Sequence, residues 1–274
     1  MRAWHDFVAQ VKEAKSHLGF RQGEECFYRG VADSRYDLAP SLFRVTQHYG
    51  REEDLLVLEY DLFFEFKARA KELHHEPLND WEWLFEMRHH GLPTRLLDWT
   101  EALGVAVFFA IDSHKDGARI TPRIWMLNPY LLNELACSDR DLIAPDYLGC
   151  VRNPRVKRYY ADAQQDRSYE KILIQDDPRF GWNCPVAIYP NQRVHRMHSQ
   201  RGWFTIHGDD PRPLNQILTV KQKERMLRYL DLTPETVIDA REFLESAGIN
   251  AYSLFPDLDG LSRELHSKYK ISYE

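Results

Sequence analysis

No stretch of this sequence approaches the ~20 apolar residues that a membrane span requires, and the most apolar window, Leu103 to Ile111, is long enough only for a buried helix. The N-terminus, Met1-Arg2-Ala3-Trp4-His5-Asp6, leads into a charged amphipathic segment rather than an apolar run, which speaks against a secretory signal. The cytoplasm is therefore the expected location, with no membrane partner. Cysteine is scarce: Cys26, Cys137, Cys150 and Cys184 stand far apart without a Cys-x-x-Cys pair, so neither a disulfide framework nor a cysteine zinc site is indicated. Positive charge is not in excess. With 36 Lys and Arg against 42 Asp and Glu, the net charge of −6 gives no global field for sequence-independent nucleic-acid binding. The phosphate loop Gly-x-x-x-x-Gly-Lys-Ser/Thr, the dinucleotide turn Gly-x-Gly-x-x-Gly and the nucleophile elbow Gly-x-Ser-x-Gly are all missing, which removes the commonest NTPase, Rossmann and hydrolase readings. Nor is there a repeat, a low-complexity tract or a Gly/Ser linker at which to place a domain boundary.

What is present suffices for a large core. Hydrophobic residues make up 43% and charged residues 28% of the 274 positions, so one domain spanning 1–274 is expected, with about 220–274 as a helical C-terminal subdomain. Trp4, Phe7, Val8, Val11, Ala14 and Leu18 recur at helical spacing and Gly19 supplies a stop. Glu25 to Gly30 is short and β-prone, and a long helix is predicted from Glu52 to Leu73. A further helix is expected over Trp81 to Met87. Thr94 to Trp99 looks extended, and helical character resumes over Ala102 to Ala110, with Thr100 as the expected N-cap and Gly104 as a soft spot. Ile120 to Leu127, Val186 to Tyr189 and Trp203 to Ile206 read as strands, the last two in one sheet. Helices are predicted over Lys221 to Leu230 and Pro234 to Ala247, the second capped by Thr233, and a terminal helix begins near Asp257. The region from Ser138 to Asp177 has no clear period.

Chemistry concentrates in two places. Arg88-His89-His90-Gly91-Leu92-Pro93-Thr94-Arg95-Leu96-Leu97-Asp98-Trp99-Thr100 sets imidazoles, guanidiniums, a carboxylate and a hydroxyl around a glycine-proline turn; it reads either as a site or as an Arg95 to Asp98 ion pair with a helix cap. Arg29 sits in the apolar run Cys26-Phe27-Tyr28. Its guanidinium there needs either a structural carboxylate or an anionic ligand. Histidine pairs occur at His74-His75, His89-His90 and His195-x-x-His198, but no third ligand stands at a diagnostic spacing, so no metal is expected.

Phe27-Tyr28-Arg29-Gly30, then Leu38-Ala39-Pro40-Ser41-Leu42-Phe43-Arg44, then His89 through Thr100, in that order, resemble the FRG domain, named for its Phe/Tyr-Arg-Gly element. The resemblance continues through Ala106-Val107-Phe108-Phe109-Ala110, and more weakly through Gln200-Arg201-Gly202-Trp203-Phe204 and Leu254 to Gly260. It implies a component of a bacterial or phage conflict, defence or toxin–antitoxin system, with a partner protein. The layout is in turn similar to ADP-ribosyltransferases, in which an arginine on the first strand grips NAD and a later hydroxyl-bearing strand leads into an Ala-rich helix. That similarity implies an α+β fold, a mixed or split sheet flanked by helices with a helical C-terminal part. It further implies NAD as substrate, catalytic positions at Arg29, His90, Asp98, Thr100 and Gln200, and cofactor contacts from Tyr28, Arg29, Gly30, His89, Arg95 and Trp99. Protein or nucleic acid would accept the transferred group. The sequence departs from the transferases at their glutamate: Gln200 stands nearest, and either Glu101, Asp98 or another carboxylate supplies the charge or the transfer chemistry is altered or lost. Three functions are therefore expected in turn: an NAD-using transferase or hydrolase, a nucleotide- or protein-sensing module without turnover, and a nucleic-acid hydrolase using His89 or His90.

Overall fold

A computed structural model describes residues 1–45, 52–73, 77–112, 120–138, 140–143, 145, 169, 184–190, 199–208 and 210–271. The chain is α+β, and six strands form one sheet in the order β4-β5-β2-β1-β3-β6. These are β1 (Phe27–Val31), β2 (Leu96–Thr100), β3 (Arg123–Leu127), β4 (Val186–Ile188), β5 (Gly202–Ile206) and β6 (Leu227–Asp231). Every ladder between these strands is antiparallel, so among the described residues the sheet is not mixed beyond an isolated parallel bridge from Ile143 to Ile188. An opening does exist at its centre. β1 and β2 meet at the single register pair Tyr28 opposite Thr100, whereas β1 pairs β3 and β2 pairs β5 along five residues each.

The helices are α1 (Arg2–Ser16), α2 (Glu52–Ala70), α3 (Asp80–His89), α4 (Leu103–Ile111), α5 (Pro129–Cys137), α6 (Leu214–Ile217), α7 (Val220–Met226), α8 (Pro234–Ser246), α9 (Ala251–Leu254) and α10 (Leu258–Lys268). Strand alternation sorts the side chains onto two faces. One face is covered by a single core, in which Phe27, Leu97, Trp99, Trp125 and Ala187 pack with Leu131 and Leu132 of α5 and with Leu214 and Leu218. The other face carries two. Phe63 of α2 and Trp81, Leu84 and Phe85 of α3 cover Leu96, Val186, Phe204 and Ile206, while α1, α4 and α8 cover Tyr28, Ile124 and Met126. The cleft described below is lined from both groups.

Gly30 sets how closely α4 approaches β1. A Cβ at this position would lie 1.8 Å from the carbonyl oxygen of Ala106, so any side chain would force backbone from backbone. Ala106 and Ala110, both fully buried, are small for the same reason.

Three expectations need correction. The helix begun at Val220 stops at Met226, and Leu227–Asp231 is instead the edge strand β6, paired with β3 along five residues. Thr219 opens α7 with a capping box, and the chain then turns extended at Leu227. Thr100 is not the N-cap of α4; that position belongs to Ala102, and Thr100 closes the preceding turn by accepting from Ala102 N at 3.1 Å. Arg95 does not pair with Asp98. It stands at the bend before β2 and forms a buried ion pair with Glu59 of α2, while the Asp98 carboxylate is taken by Arg88 and Arg29. Most of the unassigned region 138–177 lies outside the described residues, as do His74, His75, His195 and His198. Among the described residues, no helix is long and apolar enough to cross a membrane.

Candidate functional site

A cleft of about 430 Å³ opens over the seam between β1 and β2 and is lined by both strands together with α3, α4, Gln200, Phe204 and Phe255. This lies within the ~300–1,000 Å³ of small-molecule sites. Its chemistry is organised around Asp98. By alternation Arg29 belongs with Phe27 and Val31 on the opposite face, yet its Nη1 donates to the main-chain carbonyl of Asp98 at 2.7 Å and stands 3.5 Å from Oδ2. The guanidinium thus occupies the place where a backbone ladder between β1 and β2 would have continued.

From α3, Arg88 grips the same carboxylate, with Nε 3.0 Å from Oδ1 and 3.2 Å from Oδ2 and with Nη2 also on Oδ2. Arg88 Nη1 reaches Ser41 Oγ at 3.3 Å, and Ser41 Oγ in turn accepts from Thr94 N at 3.2 Å. The loop after β1 is thereby tied to α3.

Two guanidiniums against one carboxylate leave the centre one positive charge in excess. Burial works against the charge of Asp98, but Arg88, by its charge and hydrogen bonds, and then Arg29 hold its carboxyl below the usual carboxylate range. Arg88 is stabilised as a cation by Asp98. Arg29 is pushed the other way, first by burial and then by Arg88 and Arg44, with Asp98 opposing. Its Nε is buried and has no hydrogen-bond partner among the described residues. A guanidinium crowded by two others, with an unsatisfied nitrogen, is a group that an added anion would stabilise.

Two further polar residues of the lining, Thr100 and Gln200, are engaged in structural contacts. Thr100 Oγ1 donates to the carbonyl of Gln200 at 2.7 Å, and Gln200 Nε2 donates to the carbonyl of Leu254 at 3.1 Å. Glu101 does not line the cleft: its carboxylate accepts from Trp203 Nε1 at 3.3 Å and lies 3.7 Å from Arg201. Asp98 is the one carboxylate among the described lining residues.

Of the residues singled out by sequence, Tyr28, Arg29, Gly30, His89, Asp98, Trp99, Thr100 and Gln200 come together at this cleft. Arg95 and His90 do not. Arg95 is buried away from it against Glu59, which also accepts from Tyr169 Oη at 2.5 Å. His90 sits past the end of α3, exposed, with Nε2 3.5 Å from Glu86. Sequence reasoning passed over Arg88, although it opens the polar segment, and the aromatic lining of Phe85, Phe109, Phe204 and Phe255. The available signal for Arg88 was its place in the last turn of a helix otherwise rich in buried aromatics.

The FRG domain model matches residues 24–119 of the chain. This segment is an FRG domain. It contributes β1, α2, α3, β2 and α4, and with them Arg29, Arg88, His89, Asp98 and Thr100, the whole cationic half of the cleft. Gln200, Phe204 and Phe255 come from chain beyond the matched FRG segment. No curated protein and no solved structure matches the chain significantly.

Proposed function

We propose that the cleft binds a phosphate-bearing nucleotide, with NAD as the first ligand to test, and that Arg29 and Arg88 hold its phosphates. The observation that carries this reading is the pair of guanidiniums sharing Asp98 in a cleft walled by aromatic side chains. Guanidinium forks suit phosphate oxygens, and the excess positive charge suits an anion. Hydrogen bonds to charged groups contribute about 1.5–3 kcal/mol, so Arg29→Ala or Arg88→Ala should each weaken the ligand by about ten- to a hundredfold. Calorimetric titration of NAD and ADP-ribose into the folded protein and these variants tests it. Equal affinity in wild type and both variants would place the ligand elsewhere.

A second reading, that the bound NAD is consumed, draws on the convergence of Arg29, Asp98, Thr100 and Gln200 on one concave site above the opening of the sheet. In this reading the arrangement is ADP-ribosyltransferase-like and the chain is an effector of a defence or toxin system, acting on protein, nucleic acid or water. Among the described lining residues the one carboxylate is Asp98, whose charge two guanidiniums already offset, so binding without turnover is the better supported of the two. Nicotinamide release by purified protein, alone and with cell lysate, separates them. A nucleic-acid hydrolase using His89 or His90 has less support: of the two only His89 lines the cleft, and the net charge of −6 gives no general attraction for a polyanion.

A further inference from the structure

We propose that Phe109 and Phe255 form a ring-stacking subsite of this cleft, which takes the planar heterocycle of a nucleotide whose phosphates lie against Arg29 and Arg88; the inference rests on the phosphate reading above. From Val105 to Ile111, α4 is buried at every position except Phe109, whose side chain is 37% exposed and lines the cleft. A single exposed phenylalanine is ordinary on a protein surface. What sets this one apart is the second ring brought to it: Phe255 stands edge to face with Phe109, with centroids 6.0 Å apart and planes at 89°, and it lines the same cleft.

The position of Phe255 is held by several independent contacts. Gln200 Nε2 donates to the carbonyl of Leu254, and Gln200 is itself fixed by Thr100. The guanidinium of Arg263 on α10 lies 5.1 Å from the Phe255 centroid while pairing with Asp112, just past α4, at 2.6 Å. Behind it, α10 comes so close that a Cβ on Gly260 would sit 1.9 Å from the Phe255 carbonyl oxygen. The short hairpin α9–α10 therefore presents a ring that is already ordered before any ligand arrives, which lowers the entropic cost of binding. The other aromatic pair, Phe85 and Phe204, is stacked at 5.2 Å and 3% and 5% exposed, and so forms floor rather than an accessible wall.

An accessible aromatic wall beside a cationic centre is the combination that recognises a base linked to phosphate. Thr100 and Gln200 then act as positioning residues, setting the wall rather than touching the ligand. It follows that the matched segment supplies the anion grip and, through Phe109, one ring of the wall that discriminates a nucleotide from a bare anion, and that chain beyond it supplies the other ring through Phe255.

The test is calorimetric titration of ADP and of inorganic pyrophosphate into wild type, Phe109→Leu, Phe255→Leu and Arg88→Ala. Leucine keeps apolar volume and removes the π face. The expected result is that wild type prefers ADP, that each leucine variant loses about ten- to a hundredfold in ADP affinity with pyrophosphate unchanged, and that Arg88→Ala loses both. Should Phe255→Leu not fold, Phe109→Leu, at an accessible position, gives the same reading. Unchanged ADP affinity in the leucine variants, or equal loss of ADP and pyrophosphate, overturns the ring subsite and leaves the phosphate reading standing. No binding of either probe by wild type overturns both.

Discussion

Arg29 donates to the main-chain carbonyl of Asp98 at 2.7 Å across the opening between the two central strands, so one side chain both closes the sheet and faces the cleft. The Asp98 carboxylate then serves Arg29 and Arg88 together. Its contribution to the fold and its effect on an incoming anion have opposite signs.

Asp98→Asn separates those effects. Losing the charge leaves two guanidiniums less well paired, and because the carboxylate is 39% exposed the expected cost is about 1–2 kcal/mol of stability rather than the full penalty of a buried pair. The same change removes the charge that opposes an anion, so pyrophosphate should bind about fivefold more tightly. Urea denaturation and titration on one preparation check both. A parallel fall in stability and anion affinity would mean that Asp98 serves the ligand by holding the guanidiniums in place.

Gly30→Ala tests the close approach of α4 to β1. The added Cβ would meet the Ala106 carbonyl oxygen at 1.8 Å and Ala110 N at 2.8 Å, backbone atoms that cannot rotate away. A cost of about 3 kcal/mol, near the upper end of overpacking penalties, is expected in the denaturation midpoint. A change below about 0.5 kcal/mol would show that the helix shifts freely on the sheet.

The elements were legible wherever local pattern decided them. The Trp4-Phe7-Val11 stripe gave α1, Thr233-Pro234 gave the start of α8, and the short β-prone runs gave β1, β4 and β5. β6 was not legible, because Met226-Leu227-Arg228-Tyr229-Leu230 fits a helical period and becomes a strand only by pairing with β3, some hundred residues earlier in the chain. The site followed the same division. Arg29 drew notice as a charge in an apolar strand, and Asp98 and Thr100 as polar residues beside a turn. Arg88 is marked locally only by its place in the last turn of α3, and Phe255 by nothing that points to a site. Their importance comes from what the fold sets beside them, Asp98 for one and Phe109 for the other.

The pair Glu59 and Arg95 lies outside the cleft and should matter to the fold alone. Their side chains are 0% and 6% exposed, joined through Arg95 Nε at 3.0 and 2.8 Å and through Nη2, with Tyr169 Oη also on Glu59. Removing one partner strands the other charge, so Glu59→Leu is expected to cost about 3–5 kcal/mol. Glu59→Leu combined with Arg95→Met should recover most of that loss, since apolar side chains replace the whole pair. A double variant as unstable as the single one would locate the energy in Tyr169 and other neighbours rather than in the ion pair. Nucleotide affinity should not change in any folded variant of this set.

His207 gives a pH dependence whose sign can be stated. It follows β5, is 0% exposed, and neither ring nitrogen has a partner among the described residues. Burial first, and then the charge of Arg95, push its pKa down from 6.5 to about 3. Between those values the unfolded chain binds a proton that the folded chain refuses. Stability from this group is therefore full above pH 6.5 and is lost as pH falls toward 3. His207→Phe removes the titration and the unsatisfied nitrogens while keeping a ring beside Phe43, whose centroid lies 6.3 Å away. The variant should be no less stable than wild type at pH 7, with an advantage that grows by up to about 1.4 kcal/mol per pH unit below 6.5. Denaturation curves between pH 5 and 7 suffice, because carboxylates contribute equally to both proteins there. Parallel stability profiles for wild type and variant would mean that His207 accepts its proton in the folded state as readily as in the unfolded one.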